Sequence, residues 1–308
     1  MTRKLVGVKV FAPAKVNLTL HVTGQRSDGY HLLDSLVAFA GVADDLWIQI
    51  GNTISLTSEG PTADNVPADM NNLILKTAAL FQELPGASFL LTKHLPVSAG
   101  IGGGSSDAAA AFRGLMVFWS GGEVDYAGYD IMETPMGQKL AALGADIPMC
   151  LRSASIRATG VGDELSGFVM PKVPAVLVNP RVDVSTPEVF QALVRKTNDH
   201  MPELPAFSGL FHLVDWLQDQ RNDLQDAAIS LCPPIQNVLR ALDAGEDCLL
   251  ARMSGSGATC FGLYETKEKA EAAAMAIRAQ YPEWWVVETS LGDQSKLASP
   301  QIVWDKVE

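Results

Sequence analysis

Leu95-Pro96-Val97-Ser98-Ala99-Gly100-Ile101-Gly102-Gly103-Gly104-Ser105-Ser106-Asp107-Ala108-Ala109 is the stretch from which the rest of the chain is read. Gly100, Gly102, Gly103 and Gly104 fall within five positions. Glycine has no Cβ, so such a backbone adopts positive φ easily and lets a ligand come close. The alanine-rich run behind it predicts a helix from about Ser106 to Trp119, ended by Gly121-Gly122. The first N–H groups of a helix lack internal partners, and the helix dipole is positive there. A glycine loop feeding such a helix suits a phosphate group. The predicted phosphate segment is Pro96 to Ser106, with Ser105 and Ser106 free to cap the helix, contact a phosphate or reach a magnesium ion. A flexible loop with a capped helix is the plainer alternative. Two other phosphate motifs are excluded: GxxxxGK[ST] needs a lysine that is missing, and the dinucleotide fingerprint needs an acidic residue after the next strand.

Outward from the loop, the pattern is mixed. Val6, Val8 and Val10 alternate, and so do Val16, Leu18, Leu20 and Val22, which predicts β structure. The second run puts Lys15, Asn17, Thr19 and His21 on one face. A turn follows at Ser27-Asp28-Gly29, then a strand at Leu46–Ile50. Residues 72–84 have helical spacing and stop at Pro85-Gly86, and Phe89–Leu91 is a short strand. Near residue 168 the chain restarts with a strand at Ala175–Val178. Ser185 and Glu188 have capping-box spacing, with Pro187 in the first helical turn. Another helix spans 209–219. The close is strand Cys260–Tyr264, helix Lys267–Gln280 and strand Trp284–Glu288. The expected class is α+β. A length of 308 residues exceeds what one core usually spans, so two domains are expected, 1–167 and 168–308.

Composition narrows the functional classes. Hydrophobic residues make up 47% and charged ones 19%, a globular balance. The net charge of −12 repels polyphosphate at long range, so no nucleic-acid partner is expected. A local anion pocket is unaffected by that balance. Cys150, Cys232, Cys248 and Cys260 form no CxxC pair and read as buried thiols of a reducing cytoplasm. No apolar run approaches the ~20 residues of a membrane helix, and MTRKLVGVKVFAPAK lacks the apolar core of a signal peptide. A cytoplasmic protein without a membrane partner is expected. Oligomeric state is not readable from the sequence.

Pro13-Ala14-Lys15-Val16-Asn17-Leu18, the glycine loop and Met253-Ser254-Gly255-Ser256-Gly257-Ala258 together resemble the three motifs of the GHMP kinase superfamily, named for galactokinase, homoserine kinase, mevalonate kinase and phosphomevalonate kinase. Asp28-Gly29-Tyr30-His31, Leu143-Gly144-Ala145-Asp146-Ile147-Pro148 and Gly160-Val161-Gly162 occur in order between them. This order narrows the resemblance to the branch whose substrate is a cytidine-diphosphate ester of methylerythritol, in the non-mevalonate route to isoprenoid precursors. It spans residues 10 to 265. The resemblance implies a two-domain GHMP kinase fold. Its N-terminal domain would be ribosomal-protein-S5-like α/β and its C-terminal domain ferredoxin-like α/β, with the active site in the cleft between them. It implies ATP-dependent phosphorylation of the substrate's 2-hydroxyl, with Lys15 and Asp146 as the catalytic pair and magnesium accompanying ATP through ligands not named. Tyr30 would stack on the cytosine, His31 would read it and Asn17 would help hold the substrate. Thr186 and Phe190 would close on it from the second domain, and Gly255, Ser256 and Gly257 would face the phosphates. Two features depart from the pattern. Ser98 and Ala99 stand where many members carry glycine, which would stiffen the loop. Residues 197–250 and the tail after 290 match nothing.

Each residue also has an ordinary reading. An Asp before Ile-Pro suits a helix N-cap as well as a general base. Lys15 suits a solvated strand lysine, Tyr30 half-buried packing, and His31 a satisfied surface histidine. Gly255-Ser256-Gly257 suits a tight turn. Whether Asp146 accepts the proton or orients the hydroxyl stays open. Two other functions compete. Another GHMP kinase, acting on homoserine, mevalonate or a sugar, is opposed by Asp28-Gly29-Tyr30-His31. A catalytically dead nucleotide-binding protein is opposed by the intact Lys15, Asp146 and glycine loops.

Overall fold

The two alternating runs at the N-terminus meet in one strand, β1 (Leu5–Asn17), which stops at Leu18 and resumes as β2 (His21–Gln25). The computed structural model describes residues 5–82, 86–120, 133–245 and 247–305. The expected stops at Pro85 and at Gly121-Gly122 lie outside the described residues.

After β2 come β3 (His31–Ile50), β4 (Ser55–Glu59), α1 (Leu73–Ala78), β5 (Ala87–Thr92), α2 (Gly103–Trp119), α3 (Pro135–Ala141) and α4 (Ile147–Arg152). Then follow β6 (Ile156–Gly160), β7 (Glu164–Gly167), β8 (Val173–Asn179), α5 (Thr186–Gln191), α6 (Leu210–Gln218), α7 (Gln225–Leu231) and α8 (Pro234–Asp243). The chain closes with β9 (Cys248–Met253), β10 (Cys260–Tyr264), α9 (Lys267–Gln280), β11 (Trp285–Gly292), α10 (Ser295–Ala298) and β12 (Gln301–Trp304).

The main path of the sheet runs β12-β1-β3-β11-β8-β10-β9. β3 is its spine. It carries 20 residues and also pairs with β2, β5 and β6. Its joint with β11 is short, Ala40 opposite Leu291 and Phe39 opposite Gly292. β12 returns to the start of the chain and pairs antiparallel with β1, so the tail after residue 290 completes that sheet edge. The register of β1 on β3 shifts between Pro13 and Lys15. Proline has no N–H to give the ladder, and such a shift re-aims the next side chain.

Three apolar clusters hold the layers. Val8, Val10, Phe39 and Ile48 pack with Phe112 of α2. Val176, Val178 and Tyr264 pack with Val238 of α8 and Ile277 of α9. The third cluster joins Val16, Leu18, Leu36 and Ala38 to Ala175, Leu177, Phe261 and Trp285, and so belongs to both halves.

Three elements differ from expectation. The helix expected over 72–84 ends at Ala78, because Leu80 and Phe81 bond back to Thr77 and Ala78 in a tighter i→i−3 turn. That turn puts Phe81 against Phe112, ring centroids 5.4 Å apart. α2 starts at Gly103, three residues early, since its cap is Gly102 in the left-handed region (φ 64°) and no side chain caps it. The capping box at Ser185 does not form: Ser185 is exposed at the N-cap position and its side chain makes no cap bond.

Candidate active site

The shift at Pro13 and the strand's alternation turn Lys15 and Asn17 to the same side of β1. Lys15 is 6% exposed. Its ammonium donates to Asn17 Oδ1 at 2.8 Å and lies 3.1 Å from Asp146 Oδ2. Asp146 occupies the N-cap position of α4, yet its carboxylate makes no cap bond and faces Lys15 instead. Its side chain remains 38% exposed. The carboxylate is thus paired on one side and open on the other. Asn17 is fixed as well, donating through Nδ2 to Ser35 Oγ at 2.8 Å.

The glycine loop stands against this pair. The Lys15 N–H donates to Ile101 O at 2.9 Å. A Cβ on Gly102 would come within 3.1 Å of Lys15 Cε and 3.7 Å of Asp146 Oδ2. Gly100 (φ 73°) is just as constrained, since a Cβ there would stand 2.6 Å from the carbonyl oxygens of Ser254 and Gly257. The two glycine loops therefore touch backbone to backbone. Ser254, fully buried, links them to β1. Its hydroxyl accepts from Asn17 N–H at 3.0 Å and donates to Gly100 O at 3.1 Å.

These pieces open on one cleft of ≈ 1160 Å³, larger than the ~300–1,000 Å³ of a usual single-ligand pocket. Lys15, Asn17, Tyr30, His31, Ser98, Ala99, Gly100, Gly102, Gly103, Gly104, Ser105, Asp146, Thr186, Phe190, Gly255 and Ser256 line it. Pro96, Val97, Ile101, Ser106 and Gly257 do not line it. Ile101 is fully buried in the core shared by both halves. Ser106 is fully buried too, and its hydroxyl donates to Pro13 O at 2.7 Å, which pins the first turn of α2 to β1. Pro96 and Gly257 are buried behind the two loops.

At the other group of predicted residues, the His31 ring stacks on Phe190, centroids 4.7 Å apart and planes 22° from parallel. His31 Nε2 is buried and has no hydrogen-bond partner among the described residues. Burial holds the His31 pKa below its ordinary value, and Lys196 adds to that, so the ring is neutral near pH 7. Tyr30 is 66% exposed; half-buried packing does not describe it. Thr186 Oγ1 and Ser256 Oγ share a hydrogen bond of 2.7 Å, which joins α5 to the C-terminal glycine loop.

Several functional neighbours escaped the sequence reading. Asn222, in the stretch where the sequence showed no motif, donates through Nδ2 to Met253 O and Gly255 O at 2.8 and 2.9 Å and so shapes the C-terminal loop. Lys196 also lines the cleft. Under the N-terminal loop, the buried Lys93 ammonium bonds Asp44 and, at 2.7 Å, Asp107. A Cβ on Gly103 would stand 3.2 Å from that ammonium. Burial pushes the Asp107 carboxyl up to about 8, against the pull of Lys93. No local pattern marks these residues, because each acts through partners distant in sequence. Among the described residues no cluster of three or more His, Cys, Asp or Glu is placed to hold a metal.

Comparison with known proteins gives concordant results. The model described as GHMP kinases N terminal domain matches residues 72–153, and that described as GHMP kinases C terminal matches 202–283. The chain is similar to a 4-diphosphocytidyl-2-C-methyl-D-erythritol kinase of Roseobacter denitrificans, 51% identical over 96% of this chain and 97% of the relative. It is also similar to the protein of that name from Paramagnetospirillum magneticum, 45% identical over 93% and 99%. A crystal structure of 4-(cytidine 5'-diphospho)-2C-methyl-D-erythritol kinase superposes with a TM-score of 0.72 at 34% identity, covering 92% of this chain and 99% of that one. A homoserine kinase from Cytophaga hutchinsonii shares the fold, with a TM-score of 0.65 at 18% identity. With a paired lysine and aspartate set against two touching glycine loops, and with identity of this level along nearly its whole length, the chain belongs to the GHMP kinases and, among them, to the 4-diphosphocytidyl-2-C-methyl-D-erythritol kinase family.

Proposed function

We propose that the chain transfers the γ-phosphoryl group of ATP to the 2-hydroxyl of 4-diphosphocytidyl-2-C-methyl-D-erythritol, as a cytoplasmic enzyme without nucleic-acid or membrane partners. The observation that carries the reading is the 3.1 Å Lys15–Asp146 pair lying against Gly102, in a cleft large enough for two ligands. No helix of the described residues is long and apolar enough to cross a membrane.

The free N–H groups at the start of α2 and the loop from Ser98 to Ser105 hold the triphosphate. The exposed side of the Asp146 carboxylate accepts the proton of the substrate hydroxyl. That oxygen forms a bond to the γ-phosphorus as the bond from phosphorus to the β–γ bridging oxygen breaks, and ADP leaves. Lys15 keeps Asp146 aimed through their 3.1 Å contact and faces the charge that develops on the transferring group. Magnesium would be held mainly by the phosphates, with Ser105 Oγ in the cleft wall as the protein oxygen to reach it, and would neutralise phosphate charge. Tyr30, with His31 and Phe190, takes the cytosine; Asn17 and Thr186 hold the methylerythritol part. On this reading the domains are 1–167 and 168–308, with the cleft between them, and the gap between β7, which ends at Gly167, and β8, which starts at Val173, supports the divide.

The test is a coupled assay of ADP release with the cytidyl substrate, mevalonate and homoserine. Turnover is expected with the first alone. Asp146→Asn should lower kcat about 10²- to 10⁴-fold, the usual contribution of a general base, with little change in the KM for ATP. Unchanged turnover in this variant would remove Asp146 from the mechanism.

A further inference from the structure

Two lysines and two aspartates line the cleft: Lys15, Lys196, Asp28 and Asp146. Three are paired. Lys15 and Asp146 face each other, and Asp28 bonds Arg26 at 2.7 Å. Lys196 has no anionic partner among the described residues. Its surroundings do not leave it in open water. It is half-buried, and apolar Leu33, Val184 and Phe190 line the same cleft.

The backbone that carries Lys196 is held in place. Two residues on, Asn198 donates to Val22 O through both its N–H and its Nδ2, each at 3.0 Å. The same Nδ2 reaches Asp223 Oδ2 at 3.0 Å. Upstream, α5 places Phe190 on the His31 ring. The segment from Phe190 to Asn198 therefore spans between two fixed points and sets Lys196 beside the pair expected to meet the base. Its field reaches His31, whose pKa it helps to lower.

An ammonium kept unpaired in a partly apolar wall costs free energy until an anion meets it. The cradle for ATP phosphates lies at the glycine loop, beside Lys15. What remains for Lys196 is the second ligand, whose charge resides on its diphosphate. We propose that Lys196 binds the diphosphate of the cytidyl substrate and is the group by which the cleft separates a nucleoside-diphosphate ester from a neutral pyrimidine nucleoside. This rests on the cytidyl reading above.

The experiment compares CDP and cytidine as inhibitors competing with the cytidyl substrate, at saturating ATP. Wild-type protein should bind CDP more tightly than cytidine. Lys196→Met should raise the CDP inhibition constant roughly tenfold to a hundredfold, the range for a hydrogen bond to a charged group, and leave that of cytidine within about twofold. Lys196→Arg, which keeps the charge, should recover most of the loss. The KM for the cytidyl substrate should follow CDP, and the KM for ATP should not. Equal losses for CDP and cytidine would mean that Lys196 reads the base and would overturn the proposal, as would no loss for either. Wild-type protein inhibited by neither compound would instead remove the cytidyl reading itself.

Discussion

Tyr30 keeps 66% of its surface in water while lining the cleft. An aromatic ring left that open contributes little to the fold, so its removal reports on binding. Tyr30→Ala should leave the unfolding midpoint nearly unchanged. Stacking on a base is worth ~1–3 kcal/mol, so the KM for the cytidyl substrate should rise roughly fivefold to a hundredfold while that for ATP stays put. Equal rises in both, measured by steady-state kinetics, would argue that the ring shapes the cleft rather than meeting the base. The same scale shows what a local pattern conveys. Asp146 before Ile147-Pro148 reads as an N-cap, and it does occupy that position, but its carboxylate turns to a lysine from the first strand. Propensity located the residue, the resemblance named Lys15 beside it, and the fold brings the two within 3.1 Å. Ser106 shows the converse. Its place beside the glycines suggests a ligand contact, whereas burial against Pro13 spends its proton on the backbone.

At the scale of elements, the start of α2 is held by charge. Lys93 follows β5, Asp44 lies on β3 and Asp107 on the second turn of α2, so one ammonium ties three elements beneath the loop. Two buried carboxylates share it, and burial pushes Asp107 up to about 8. The sign follows from linkage. A carboxyl whose folded pKa is raised stabilises fully below its unfolded value near 3.8, and that contribution is lost as pH rises toward about 8. Asp107→Asn removes this titration and keeps an acceptor for Lys93. Its stability, read by urea unfolding, should therefore vary less between pH 4 and 8 than that of the wild type. Lys93→Met leaves buried carboxylate without a counter-ion and should cost about 3–5 kcal/mol. An Asn variant with the wild-type pH slope would show that Asp107 is ionised throughout. The helix itself was legible from its alanines, but its first residue was not. The usual cue is a capping side chain, and here a left-handed glycine takes that place. The triad left no signal either, since Lys93 and Asp107 taken singly read as surface charges at the ends of elements.

For the whole molecule the deciding feature is the third apolar cluster. Val16, Leu18, Leu36 and Ala38 come from the first half, Ala175, Leu177, Phe261 and Trp285 from the second, and all are buried. Each large aliphatic or aromatic side chain among them is worth about 1.5–3 kcal/mol when removed from water. Parting the halves would expose a stake comparable to the whole stability of an ordinary domain. β strands add to the seam: Leu291 and Gly292 pair with β3, and β12 crosses back to β1. The cleft floor is thus set by packing rather than by a free hinge, which keeps Gly100 against Gly257 and the Lys15–Asp146 pair in register with both loops. Calorimetry of the intact chain should show one cooperative transition, with calorimetric and van't Hoff enthalpies equal. Residues 1–167 alone should bind a hydrophobic dye and melt without a sharp transition, because half of the shared cluster would face water. Two resolved transitions, or a cooperatively melting first half, would mean that each half closes its own core, and the fixed geometry of the Lys15–Asp146 pair would then need another source.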